Sequence, residues 1–347
     1  MPRHSALIIV SVILIMSLAC VTLLGEPDLP SAPILPIMIN TPIPEIPAQP
    51  ETLSCPIITN KIVDVNSPQF EEGSEENFDG AEEVSDEGTY LVTYIIEDET
   101  LTEPYFYDDI SSDLSDEQND YETHQALWNY FAALIPYEFR PQLAEFTIFT
   151  DGENNTLAAV AQTYDDVELW GLELDYADTQ DYYYLSFTLV HEFAHLFTLA
   201  PSQVSPSIAI FNNPDDNDIY LDEISACSNY FPGEGCSNTD SYINQFYDQF
   251  WFDIYDEWNE INLEEDEDLY YEKLDDFYYK YEDQFLTDYA ATNPAEDIAE
   301  SFGFFVFSEK PAGNTIAEQK ILFFYQYPEL IELRTEILNN LCVAFPE

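Results

Sequence analysis

Residues 185–197 constrain this chain more than any other stretch. Leu185, Phe187, Leu189, Val190, Phe193, Ala194, Leu196 and Phe197 recur at helical spacing and cover most of the circumference, so this helix must lie inside a core. The same stretch carries His191, Glu192 and His195. Positions i and i+4 share one face of an α-helix, so both imidazoles can reach a single metal ion, while Glu192 is turned about 100° away. Buried imidazoles need partners, and this chain of 347 residues has only four histidines. Two stand here and His4 lies in an apparent leader, which leaves His124, expected to be structural.

The five residues His191-Glu192-Phe193-Ala194-His195 resemble the HExxH arrangement of zinc peptidases. The resemblance implies one catalytic Zn2+ held by His191 and His195. Glu192 would be the general base that takes a proton from the zinc-held water and passes it to the leaving amine.

Two histidines and a water leave one protein ligand to find. With histidine nearly exhausted, a carboxylate is favoured. The segment Tyr289-Ala290-Ala291-Thr292-Asn293-Pro294-Ala295-Glu296-Asp297-Ile298-Ala299-Glu300 supplies candidates. Pro294 suits a first helical turn and Asn293 a cap, which puts Glu296 and Glu300 on one face. One carboxylate can bind the metal while the other orients a ligand histidine through its free ring nitrogen. On chemistry alone Glu300 could exchange roles with Glu296, Asp222 or Glu223 could approach from elsewhere, and Asp297 points off this face.

Both segments together resemble the gluzincin metallopeptidases, and within them the family of the anthrax toxin lethal factor catalytic domain. In that family a tyrosine stands seven residues before the zinc-binding glutamate and a second glutamate four residues after it. The resemblance implies Glu296 as third ligand, Glu300 as the carboxylate behind a ligand histidine, and Tyr289 as a hydroxyl stabilising the oxyanion. It covers two short segments of the chain. His195 and Glu296 are 101 positions apart, longer than that family leads one to expect, so an insertion at about 201–287 is expected. Its stretch from Tyr242 to Phe285 is dense in aromatic and acidic residues at helical spacing. It reads as helices packed over the site, or more sharply as a cleft wall that selects aromatic or basic peptide segments.

Ahead of the helix, Thr89–Glu97, Phe146–Thr150, Leu157–Tyr164 and Val167–Leu174 read as strands, and Tyr121–Leu134 as a helix stopping before Pro136. The expected fold is α+β and zincin-like: a mixed sheet packed on the HExxH helix, with a mainly helical C-terminal half.

Residues 1–20 pair a basic start with a short apolar run ending at Ala19-Cys20, an export signal similar to a bacterial lipobox. The expectation is an exported protein, a cell-surface lipoprotein anchored at Cys20 or a secreted one. Residues 21–88, with ten prolines between Pro27 and Pro68 and then an acidic stretch, read as a flexible tether to a catalytic domain at 89–347. The remaining cysteines are an even set, which makes disulfides plausible. Cys227 and Cys236 flank a turn-rich loop, Cys55 and Cys342 would tie start to end, and sequence does not choose among the three connectivities.

With 69 acidic against 8 basic residues the formal charge is −61, which repels phosphate backbones and anionic lipid. No nucleic-acid partner is expected, and a membrane only through the leader or lipid. The run Glu264–Asp268 and the group Asp215, Asp216, Asn217, Asp218, Asp222 and Glu223 could hold Ca2+, but they lack the EF-hand glycine and spacing and read as a solvated acidic face. The sequence thus points to a zinc endopeptidase acting on a peptide or protein. The competing readings are a non-catalytic surface binding protein on the same fold and a zinc hydrolase of cell-wall amides.

Overall fold

The computed structural model describes residues 55–68, 88–152, 156–264 and 266–346. The expected leader at 1–20 with Cys20, and the tether apart from residues 55–68 and 88, lie outside the described residues. The described part is α+β, with a mixed five-stranded sheet preceding a largely helical half. Among the described residues no helix is long and apolar enough to cross a membrane.

The first element corrects the expectation of a continuous tether. Pro56–Asn66 form a helix, α1, which packs on the later helices α4 and α10 described below and is tied to the C-terminal helix by the Cys55–Cys342 disulfide. Proline density suggested chain without a core, but Pro56 sits in the first helical turn, where its missing N–H is harmless. Ile62 is fully buried.

The sheet comprises β1 (Thr89–Glu97), β2 (Thr100–Phe106), β3 (Leu143–Thr150), β4 (Ala158–Gln162) and β5 (Trp170–Asp175) in the order β2-β1-β3-β5-β4. Only β3 and β5 run parallel. Sequence reasoning missed β2 because the β1–β2 turn lacks glycine: Asp98 and Glu99 themselves take φ of 45° and 66°. Glu99 is held there in part by an ion pair with the buried Arg140.

Between β2 and β3 come α2 (Ser115–Gln118) and α3 (Tyr121–Leu134). Phe146, Ile148, Leu172 and Leu174 alternate onto one buried face of the sheet, and Trp128 of α3 packs on Phe146 with ring centroids 5.6 Å apart. His124 on α3 is structural, as its ring nitrogens lie 2.9 Å from the Tyr94 hydroxyl and 2.9 Å from the Glu117 carbonyl.

The sheet leads into α4 (Tyr182–Thr198), started by Asp181, whose side chain accepts from the Tyr183 N–H. The expected insertion contains β6 (Val204–Pro206), α5 (Ile208–Phe211), α6 (Asn217–Ala226), β7 (Gly235–Ser237), α7 (Tyr242–Phe250), α8 (Tyr255–Ile261) and α9 (Glu267–Lys280). Strands β6 and β7 pair as a small second sheet, and Cys227 is bonded to Cys236 beside it. The acidic residue Asp216 caps α6 through the Asp218 and Ile219 N–H groups. After the insertion come α10 (Pro294–Phe307), α11 (Ile316–Phe324) and α12 (Pro328–Ala344).

Helices α4 and α10 cross in the centre of the molecule. Phe187, Phe193 and Phe197 of α4 meet Phe302 and Phe304 of α10 at ring separations of 4.8–6.1 Å. The crossing is close because Gly303 faces Phe187: a Cβ there would lie 2.7 Å from the ring Cζ. This contact brings residues more than a hundred positions apart into one site.

Candidate metal centre

His191 and His195 lie one turn apart on the face of α4 that meets the start of α10, and they are 5 % and 7 % exposed. Asn293 caps α10 by accepting from the Ala295 and Glu296 N–H groups at 2.9 and 3.0 Å, with Pro294 in the first turn. That cap fixes the rotation of α10 and points Glu296 at both imidazoles. Its Oε2 lies 3.0 Å from His191 Nε2 and 3.2 Å from His195 Nε2, and the two Nε2 atoms are 3.1 Å apart. Among the described residues this is the one group of three side chains placed to share a metal ion.

The remaining nitrogen of His191 is committed. Nδ1 donates to Glu300 Oε1 at 2.9 Å, and the other Glu300 oxygen accepts from the Thr287 hydroxyl at 2.8 Å. In its neutral form, with the proton on Nδ1, His191 presents the lone pair of Nε2 to Glu296 and His195. Three acceptor atoms facing one point leave a place for a cation.

The electrostatics agree. Burial opposes a charge on His191, yet Glu296 and Glu300 outweigh it and hold the imidazole well above its ordinary pKa. Burial likewise opposes ionisation of Glu296, but His195 and His191 pull its carboxyl well below the carboxylate range. The pocket therefore favours positive charge at its centre, as a proton or a metal ion.

Glu192, 7 % exposed, directly follows His191 on α4. Burial pushes its carboxyl up to about 7, against the pull of the two histidines and a hydrogen bond from the backbone of Val160 in β4. The outermost strand of the sheet therefore runs beside this carboxylate.

Tyr289 opens a short 3-10 turn before α10, its ring centroid 5.9 Å from that of His191. The residue is 53 % exposed, whereas its hydroxyl bonds to Glu296. The charge of Glu296, with burial, holds the phenol well above its ordinary pKa, so at neutral pH it is a donor.

Of the other candidates, Asp297 turns away, accepting from Trp251 Nε1 at 2.7 Å and pairing with the buried Lys320 at 2.5 Å. Asp222 and Glu223 sit on α6 and are not in the group of three. Sequence reasoning passed over Glu234, in the loop between Cys227 and Cys236, on whose carboxyl the charges of His195 and Glu296 act. Only its place in a disulfide-closed loop between two glycines could have marked it.

Comparison with known protein families, with curated proteins and with solved structures found no match.

Proposed function

We propose that this chain is an exported zinc metallopeptidase of gluzincin type on a zincin-like fold, hydrolysing peptide bonds within peptides or proteins. The observation that carries the reading is the convergence of His191 Nε2, His195 Nε2 and Glu296 Oε2, with Glu192 next to His191 on the helix and Glu300 behind His191. Ligand atoms about 2.0–2.1 Å from a tetrahedral ion lie roughly 3.3 Å apart, close to the 3.0–3.2 Å separations found here. Two imidazoles and one carboxylate leave a fourth position open, the donor set of a catalytic rather than a structural zinc.

Bound there, zinc supplies an activated water and polarises the scissile carbonyl. The residues of the chain do the rest. Glu192, next to His191 and held in a buried setting that raises its carboxyl, would take the water's proton and give it to the leaving amine. Glu300 fixes the tautomer and plane of His191. Tyr289 offers a protonated phenol beside His191, suited to the developing oxyanion. Because β4 is an edge strand whose backbone reaches Glu192, an extended peptide added to that edge would run past the base. Two disulfides suit an oxidising, extracytoplasmic setting.

The test is mass-spectrometric analysis of a diverse peptide mixture incubated with the full chain, with Glu192→Gln and chelated protein as controls. The reading expects internal cleavages that vanish in both controls. Intact peptides with folded, zinc-loaded protein would leave a binding protein, and release from peptidoglycan alone would make it a cell-wall amidase.

A further inference from the structure

Glu234 is held in place by everything around it except its own side chain. Gly233 before it has φ +121°, a conformation natural only to glycine, and a Cβ at Gly235 after it would fall 2.0 Å from the Ser205 carbonyl oxygen. The Glu234 carbonyl accepts from the Ser207 N–H at 2.8 Å, and the Cys227–Cys236 bond closes the loop. Tyr220 of α6 stands over the same loop, edge-on to Phe231 at 5.7 Å.

The carboxylate accepts from the backbone N–H of its own residue. Its Oε2 is shut off from solvent and has no hydrogen-bond partner, while the residue as a whole is partly exposed. Every lysine and arginine among the described residues is engaged elsewhere, Lys320 with Asp297 and Arg140 with Glu99 being the buried cases. Strand β6 leaves the C-terminal end of α4 and the Ser207 N–H holds the Glu234 carbonyl, so the loop returns toward that end, where the charges of His195 and Glu296 act on the Glu234 carboxyl and its own charge acts on the Tyr220 hydroxyl. Burial pushes the carboxyl up to about 7, as befits an acid without a cation beside it. A buried acceptor without a partner calls for one, and at the edge of a metal centre that partner can arrive with the substrate.

We propose that Glu234 is a specificity determinant that receives a cationic group of the substrate, an ammonium or guanidinium, beside the metal centre. The inference rests on the peptidase reading and narrows it to peptides carrying a basic side chain or a free α-amine near the scissile bond.

The experiment compares hexapeptides by calorimetry in the inert Glu192→Gln background, with and without Glu234→Gln, at roughly 0.3 M salt to screen the acidic surface. One pair exchanges lysine for norleucine with both ends blocked, and another exchanges a free for an acetylated amino terminus. The inference expects about tenfold tighter binding of the cationic member of one pair, lost in Glu234→Gln while its neutral partner binds unchanged. The pair that responds identifies the source of the cation. Equal binding within both pairs when Glu234 is intact would overturn it. So would a Glu234→Gln effect that weakens all four peptides alike and lowers zinc content, which would make Glu234 a support for His195. The peptidase reading fails separately, if zinc-loaded chain with Glu192 intact does not hydrolyse the peptides it binds.

Discussion

His191 Nδ1 donates to Glu300 Oε1 at 2.9 Å across 109 positions of sequence, and that bond decides which nitrogen of His191 faces Glu296. Removing the carboxylate frees the tautomer and ring plane. Glu300→Ala should weaken zinc affinity about 10–100-fold, read by competition against a chromogenic chelator, with helix content by circular dichroism unchanged. Affinity equal to that of the unmodified chain would mean that Glu300 contributes packing alone.

The close crossing of α4 and α10 depends on the missing side chain at Gly303. In an isolated helix Gly→Ala stabilises by about 1 kcal/mol. Here the added methyl would sit 2.7 Å from the Phe187 ring, which is itself buried against Phe304 and Phe307. Gly303→Ala should therefore destabilise by about 1–3 kcal/mol in denaturant titration and lower zinc affinity as well, because the helices that carry the ligands must move apart. A stabilised variant with full zinc affinity would contradict this account of the crossing.

Much of this arrangement was legible in sequence. The apolar periodicity of 185–197 and the Asn293-Pro294 start signal each describe a helix by local rules, and the structure has both, with the expected cap. Helix Tyr121–Leu134 and strand Thr89–Glu97 also have the expected limits. Features set by distant partners were hidden. Helix α1 is stabilised by docking on α4 and α10 and by Cys342, none of which its proline-rich neighbourhood reveals. The Asp98-Glu99 turn adopts glycine-like angles without glycine. Glu234 is notable only for the partner it lacks, and burial of a single oxygen leaves no trace in composition.

Tyr289 keeps its phenolic proton because Glu296 lies beside it. Tyr289→Phe removes one donor and little volume. On the proposed mechanism zinc content should stay at one ion per chain while kcat falls about 100-fold with KM little changed, since the hydroxyl would act on charge that develops only in the transition state. An unchanged kcat would reduce Tyr289 to a wall of the cleft.

Several buried acids titrate high. Burial lifts Glu173, Asp175, Glu192 and Glu234 to about 7 and Asp297 to about 6, from ordinary values of 4.5 for Glu and 3.8 for Asp. A carboxyl raised in the fold contributes stability that is full below its unfolded value and lost as pH rises through its folded value. Glu296, held low, contributes in the opposite sense, above its unfolded value, and still does so at pH 5. Repulsion among surface carboxylates, from a formal charge of −61, adds to the loss at high pH. The metal-free chain should therefore melt about 5 °C or more higher at pH 5 than at pH 8 in low salt, and added salt should narrow the gap. A higher melting temperature at pH 8 would show that these acids are ionised without penalty in the fold.

The account stands on three side chains sharing one ion. Native mass spectrometry of the full chain after zinc loading and desalting, alongside Glu296→Ala and Glu192→Gln, tests it most directly. One zinc per chain in the unmodified protein and in Glu192→Gln, with loss in Glu296→Ala, is the predicted result. A chain that retains no zinc, or whose zinc is indifferent to Glu296, would contradict it.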